Sequence, residues 1–560
     1  MNFLTKRLNV GLLVFLVAAV GLSCFGLFMN DLPKGHDLSF HLARIESLSE
    51  GIRFGELPVR IYPHYFKGYG YANGLMYPDL FLYPAAFLCL TGIGVIWAYK
   101  GLILVCTILT AIFMYRTLIK ITRQEWASRL GMLLYTVSLY RVVDVWTRAA
   151  LGEVLAFMFI PFVLLGIYYI FFDDDRQWYE LTIGFTGIFL SHLLSGAMWS
   201  SVMVVICIVF IPKMIKEPRR LWNLIKATGM TILLVSFFLF PMFEQLMDQK
   251  LKMSEDIAYY LGDSVLPLKA IFLDSKIEGH PNEWFPGGIG FSVMGIIVIG
   301  LAAQIQEIPK KLSVVAWGSV IISLAVLVMM SDIFPWYEVL KYAKVFESLQ
   351  FVWRLLMIAT SLLVLAFAIF YSYSKSYAKV LGILTVILSV IVGVEAQIET
   401  LRYMTKVDSS LLVREEISEY AVNDRDYPVG NSEYVPLKTN IINMYGLENR
   451  YRVNQEIEYK TKQEGTTITI EFEGQTQPDL QVEVPLLYYK GYGAKLEGRS
   501  LEVISGSNGA VSFVIPEVVG NGIVVVSYEG TTLQHITLGI SIISFIAFIV
   551  IVGRSKLKKI

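Results

Sequence analysis

Charge is what this chain of 560 residues has least of. Only 17% of its residues are charged, against roughly a quarter in an average soluble domain. Lys+Arg and Asp+Glu each total 47, so no charge bias points to nucleic acid or another anionic polymer. Cysteine is nearly as scarce. Cys24, Cys89, Cys106 and Cys207 all lie in apolar segments, which excludes a disulfide framework and a C-x-x-C metal site. Nucleotide and metal signatures are missing too. There is no G-x-x-x-x-G-K-[ST] and no H-E-x-x-H, and Gly287-Gly288-Ile289-Gly290 lacks the strand that precedes a dinucleotide fingerprint. The six histidines show no metal spacing. A soluble enzyme, a nucleic-acid-binding protein and an ATP-driven pump are all disfavoured.

Apolar runs fill the space that charge leaves. The chain is 55% hydrophobic, its mean hydropathy is +0.57, and the apolar residues fall into runs of about twenty, enough to span a bilayer. Candidate spans are 8–29, 100–119, 128–143, 150–172, 180–196, 197–212, 226–243, 288–304, 312–330, 355–372, 377–394 and 535–553. Those at 128–143 and 180–212 are short. Lys6 and Arg7 precede the first run, and without a small-residue cleavage site it reads as a retained helix rather than a signal peptide. Positive charge then sets orientation. Lys6, Arg7, Arg116, Lys120, Arg123, Arg129, Lys213, Lys216, Arg219, Arg220, Lys310, Lys311, Lys375, Lys379 and the tail from Arg554 all fall on the cytoplasmic side, provided that 80–98 does not cross. Leu80–Ala98, with Pro78 and Pro84 at its entry, is therefore expected to be interfacial or re-entrant.

The expected fold is a polytopic α-helical membrane protein of about twelve helices, both termini cytoplasmic in the cell membrane, with an extracytoplasmic β-sandwich near the C-terminus. A membrane domain covers 1–395, with a large first exterior loop at 30–98. The β-rich domain covers 396–534, and a final helix with a basic tail covers 535–560. The β assignment rests on alternation in Thr467-Ile468-Thr469-Ile470-Glu471-Phe472-Glu473 and in Gly522-Ile523-Val524-Val525-Val526-Ser527-Tyr528. Ser507-Asn508-Gly509 and Gly520-Asn521-Gly522 supply turns.

Polar groups beside a membrane are costly, so they mark candidate sites. In Gly35-His36-Asp37-Leu38-Ser39-Phe40-His41-Leu42-Ala43-Arg44, a helix starting near Asp37 puts Asp37, His41 and Arg44 on one face. Such a group can take a proton from a hydroxyl and hold a phosphate. Asp37 can equally be a helix cap and Arg44 an interfacial anchor. Tyr77-Pro78-Asp79 lies in a tyrosine- and glycine-rich stretch that suits a sugar or headgroup, though tyrosine is also an ordinary interfacial residue. Asp144 and Arg148 are spaced to pair, while Glu153 enters an apolar helix without an obvious partner. His192 sits in an apolar run, as a core histidine or as part of the site. Glu347, Gln350 and Arg354 share a face if their segment is helical, where Arg354 clamps a phosphate or snorkels. Asp37, Glu153 and Arg354 come from distant parts of the chain yet map to one membrane face.

These motifs, in this order, resemble a bacterial family of multispanning membrane proteins catalogued as "6-pyruvoyl-tetrahydropterin synthase-related" and similar to YfhO-like proteins. Gly35–Arg44, Tyr77–Tyr83, Arg148–Glu153 and Leu349–Arg354 carry the resemblance, together with Glu433-Tyr434-Val435-Pro436, Tyr488-Tyr489-Lys490-Gly491-Tyr492 and the final helix. These families resemble GT-C glycosyltransferases. That implies a polyprenyl-phosphate-sugar donor, a site at the exterior face and an acid in the first exterior loop, where Asp37 matches. Asp37, His41 and Glu153 are then the catalytic candidates, and Arg44, Arg148, Gln350 and Arg354 the donor-phosphate candidates. His36, Tyr77, Asp79 and His192 are substrate-binding candidates. No D-x-D is present, which leaves a divalent metal open and no cofactor implied. Expected partners are the bilayer, the lipid-linked sugar and a cell-wall polymer or glycolipid acceptor. The competing reading is a non-enzymatic lipid or polysaccharide transporter or envelope assembly protein.

Overall fold

The computed structural model describes residues 10–63, 65–254, 261–272, 290–304, 307–404, 406–407, 432–440 and 451–557. Among them, nine helices are long and apolar enough to cross a membrane, including Val10–Phe28, Val95–Thr122, Leu151–Phe172, Pro218–Asp248 and Thr532–Ser555. Three expected spans are shorter helices. The run at 128–143 breaks after Glu125–Thr136 and resumes as Leu139–Trp146. Tyr179–Phe189 and Gly290–Gln304 have 11 and 15 residues. Within 80–98, Tyr83–Leu90 has only 8 residues, well under the roughly 20 a bilayer crossing needs. It packs back on the helix that starts at Val95, so this stretch adds no full span.

Helix Leu151–Phe172 is apolar all round because protein, not lipid, surrounds it. Small residues let its neighbours approach. A Cβ on Gly166 would lie 2.5 Å from the Leu181 nitrogen, and one on Gly184 would lie 2.6 Å from the Val163 nitrogen. Close backbone contact of this kind holds helices together where lipid is as apolar as leucine. Pro161 sits inside the helix, and its carbonyl accepts a 2.8 Å bond from Thr117 Oγ1. At the helix ends away from the β-domain, Arg116 pairs with Glu180, Arg219 with Asp175 and Lys311 with Asp173.

The opposite face carries helix Leu38–Arg53 and the β-domain. The domain has two antiparallel sheets. One is ordered Arg452–Val453, Leu480–Leu487, Ala510–Ile515, Val503–Ser505, and the other Glu458–Glu464, Thr467–Glu473, Gly522–Tyr528, Tyr492–Leu496, Arg499–Leu501. Strict alternation in Thr467–Glu473 turns Ile468, Ile470 and Phe472 inward, where they share a core with Val482, Val484 and Phe513. The domain docks on the first loop. Gln463 Nε2 donates to the Gly68 carbonyl at 2.7 Å, Thr466 Oγ1 to Glu56 Oε1 at 2.6 Å, and the Leu487 amide to the Tyr69 carbonyl at 2.7 Å. Its last strand leads into the helix Thr532–Leu557, whose Ser541 meets Ser236 of Pro218–Asp248, Oγ to Oγ at 2.9 Å.

Candidate functional site

Backbone pairing builds the site first. The His36 and Asp37 amides donate to the Thr147 and Arg148 carbonyls at 3.1 and 2.8 Å. The approach needs Gly35, because a Cβ there would sit 2.6 Å from Ala149 Cβ. The first loop is thereby fastened to the turn between helices Leu139–Trp146 and Leu151–Phe172. Asp37 precedes the first residue of helix Leu38–Arg53, but its side chain makes no capping bond. The cap reading of Asp37 therefore lacks its defining contact. Asp37 is half-buried, and His36 beside it is exposed. Burial raises the Asp37 carboxyl above the ordinary range, against the opposing pull of Arg148, His36 and Arg354.

Two of the sequence clusters close into one network around Glu153, which is 1% exposed. Its Oε1 lies 2.9 Å from Arg148 Nη2 and 3.1 Å from Arg354 Nε. Neither contact is aligned as a hydrogen bond, so these are ion pairs by distance. Tyr140 donates its hydroxyl to Glu153 Oε2 at 2.5 Å. Arg148 Nη1 donates to Asp144 Oδ1 at 2.6 Å and to Tyr140 Oη at 3.0 Å. Arg354 Nη1 donates to Gln350 Oε1 at 2.7 Å and to the Leu349 carbonyl at 3.0 Å. Residues 344–355 are not the continuous helix their spacing suggested. Two short 3₁₀ turns, Lys344–Leu349 and Val352–Leu355, flank Gln350, whose φ is 62°. That break turns Gln350 back onto Arg354, while Glu347 offers the cluster only its carbonyl, to the Gln350 amide.

His41, Arg44, Tyr77 and His192 form the adjoining wall. His41 Nε2 accepts the Leu151 amide at 3.2 Å, so its ring caps helix Leu151–Phe172. Burial and the neighbouring Arg44 hold His41 well below the usual histidine range, which keeps it neutral for that bond. His192 caps its own helix through the Ser195 amide at 3.3 Å. Arg44 is wholly buried, with Nη2 donating to the Pro78 carbonyl at 2.7 Å and its guanidinium 4.2 Å above the Tyr77 ring. Asp79 accepts the Tyr62 hydroxyl at 3.1 Å and stands on the far side of this wall. Burial pushes it up to about 6 despite Arg44.

Two groups lie outside the predicted set. Tyr140 bridges Glu153 and Arg148, and its spacing of four from Asp144 was a readable signal. Glu433, in the segment 432–440, is half-buried, which raises its carboxyl, with the charge of Asp37 adding to the rise and that of Arg354 opposing it. Its motif, Glu433-Tyr434-Val435-Pro436, is part of the family resemblance but carried no site assignment. Among the described residues, no group of three or more His, Cys, Asp or Glu is arranged to hold a metal. Chemically, the site sets a half-open carboxylate beside two guanidinium groups, which suits proton removal next to a departing anion.

No protein-family model matches the chain. No curated protein matches its sequence. Among solved structures, the apo oligosaccharyltransferase of Archaeoglobus fulgidus aligns over 78% of this chain and 62% of its own, at 9% identity and a TM-score of 0.43. The chain thus spans about three fifths of that protein's length. ArnT from Cupriavidus metallidurans, bound to undecaprenyl phosphate, aligns over 70% of this chain and 78% of its own, at 13% identity and a TM-score of 0.31. Likenesses this loose carry no argument about function, which rests on the residues themselves.

Proposed function

We propose that this protein is a membrane glycosyltransferase. It takes a sugar from a polyprenyl-phosphate carrier and places it on a cell-envelope polymer or glycolipid at the exterior face. The observation that carries this reading is the meeting of Asp37 with the Arg148–Glu153–Arg354 network beside the bilayer. Asp37 acts as the base that takes the acceptor's hydroxyl proton, and burial makes it a stronger base than a surface carboxylate. As the sugar leaves its carrier, negative charge grows on the phosphate, and Arg148 and Arg354 offset it. Glu153, Tyr140 and Gln350 hold those two guanidinium groups in place. His41, Arg44 and Tyr77 pack beside this network, and His36, Asp79 and His192 border them.

In this reading residues 1–395 bind the carrier, 396–534 present the acceptor, and 535–560 close the bundle with both termini cytoplasmic. The motif resemblance to YfhO-like proteins points the same way. The test is sugar transfer by purified protein from a defined undecaprenyl-phosphate-linked sugar, with envelope glycans compared in cells carrying Asp37→Asn. Loss of glycosylation at normal protein level is expected. Unchanged glycosylation would sink the role of Asp37.

A further inference from the structure

The first turn of helix Leu151–Phe172 brings together two side chains that the carboxylate and guanidinium groups leave unused. No side chain fits at Gly152, one residue before Glu153. A Cβ there would lie 2.4 Å from Tyr77 Oη, 3.1 Å from His192 Cδ2 and 3.2 Å from the Ser191 carbonyl oxygen. The Tyr77 hydroxyl and the His192 ring therefore converge on one point, next to the residue whose carboxylate joins Arg148 and Arg354. Each is fixed from its other sides. The Arg44 guanidinium covers the half-buried Tyr77 ring at 4.2 Å, with Phe40 edge-on at 6.0 Å and the His192 ring at 6.1 Å. His192 is 8% exposed, and its Nδ1 is occupied by helix Leu193–Lys216, accepting the Ser195 amide at 3.3 Å and meeting Ser195 Oγ at 2.8 Å. A neutral ring that accepts at Nδ1 carries its proton on Nε2. Burial holds His192 down at about 3 and raises Tyr77 to about 12, so both are neutral donors at physiological pH. Among the described residues, neither His192 Nε2 nor Tyr77 Oη has a hydrogen-bond acceptor.

We propose that Tyr77 and His192 form the sugar subsite of this transferase, a pair of neutral donors that hold an oxygen of the donor sugar beside the carrier phosphate. This subsite presupposes the carrier-lipid reading above and adds to it the part of the donor that each residue meets. A phosphate that gains charge during transfer is matched by the permanent cations of Arg148 and Arg354. A sugar hydroxyl or ring oxygen carries no charge, and it is matched by uncharged O–H and N–H groups set among aromatic rings. Tyr77 and His192, with Phe40 and His41 against the Tyr77 ring, make a wall of that kind. The sugar is bonded to the phosphate it leaves, so its subsite has to adjoin the arginines, and Gly152 and Glu153 are consecutive residues. Glycine at 152 belongs to the same device, because a methyl group there would push the Tyr77 hydroxyl aside. Two donors fixed in advance select among sugars, since a sugar without the matching oxygen leaves a buried donor unpaired.

The test is binding, by full-length, detergent-purified protein, of undecaprenyl phosphate either bare or carrying glucose, galactose or mannose. Wild type should bind one of the loaded carriers more tightly than the bare one. Tyr77→Phe removes the hydroxyl alone. His192→Asn keeps an oxygen for the Ser195 amide and removes the Nε2 donor. Each should reduce the preference for that loaded carrier about three- to tenfold, with binding of the bare carrier reporting that the variant is folded. Gly152→Ala should lower the preference in the wild-type background and add nothing in the Tyr77→Phe background, where the oxygen it would meet is gone. Equal loss of bare and loaded binding in Tyr77→Phe and His192→Asn would give the pair to the phosphate and overturn the assignment. An unchanged preference in both variants would overturn it too, as would a wild type that binds every loaded carrier no better than the bare one. If wild type binds neither form, the carrier reading itself fails and the sugar subsite falls with it.

Discussion

A single carboxylate, Glu153, shows why the polar residues of this chain are not interchangeable. It is enclosed by Arg148, Arg354 and Tyr140, and each of those is held by a further partner. Removing one member of a buried ion pair strands the other, at about 3–5 kcal/mol. Glu153→Leu should therefore lower the melting temperature sharply and cut protein yield. Tyr140→Phe removes only one hydroxyl and should cost about 1–2 kcal/mol. Near-equal melting curves for the two variants would mean that Glu153 is not the hub. Asp79 gives a pH signature at the same scale. Its folded-state acidity lies near 6, above the ordinary aspartate value, because burial favours the protonated form. A group shifted up in this way contributes stability below its unfolded value, and that contribution is lost as pH rises through about 6. Wild type should thus lose stability between about pH 4 and pH 6 relative to Asp79→Asn. A difference that stays flat across that window would refute the assignment.

At the level of helices, legibility followed physics. Long uncharged runs announced their own spans, since nothing but bilayer or protein interior suits them. The run at 128–143 misled because Leu139–Trp146 restarts after a break at Val137–Ser138, with Arg141 and Asp144 inside an otherwise apolar stretch. Arg141 is buried there on Ser23 Oγ and Thr107 Oγ1, contacts that no local pattern reveals. Asp37, Glu153 and Arg354 each stood out as polar groups in apolar surroundings. Charge-derived topology put them on one face, but only the folded chain shows that Arg148 and Arg354 share one oxygen. Glu433 was unreadable as a site residue because its place depends on bonds to residues nearly two hundred positions away. Helix contacts also make a prediction. Gly166→Leu drives a side chain into the Leu181 backbone, whereas Gly229→Leu meets nothing within 4 Å. The first should abolish accumulation of folded protein, and the second should leave it near wild type. Equal yields would show that the bundle can repack around the Leu151–Phe172 helix.

Taken whole, the molecule is a helical bundle whose site is finished by a domain far along the chain. The first loop supplies Asp37, the bundle supplies Glu153 and Arg354, and segment 432–440 supplies Glu433. Such a site is complete only while the β-domain is docked. Among the described residues, the docking hydrogen bonds include Thr466 on Glu56 and Gln463 on Gly68, and beside them lies the stack of Tyr65, Tyr71 and Tyr434. Buried aromatic area contributes more than rim hydrogen bonds to an interface of this kind. The domain is therefore expected to stay docked through a reaction cycle rather than swing. Cysteines introduced as Glu56→Cys and Thr466→Cys should be joined in membranes by a short bis-methanethiosulfonate cross-linker, which spans the length that cysteine lacks beside glutamate. The Thr466 hydroxyl sits 2.6 Å from the Glu56 carboxylate, so the side chains already meet. The cross-linked protein should bind undecaprenyl phosphate and transfer sugar as well as its reduced form. Loss of transfer on cross-linking, restored by reductant, would show instead that the β-domain must lift to admit the acceptor.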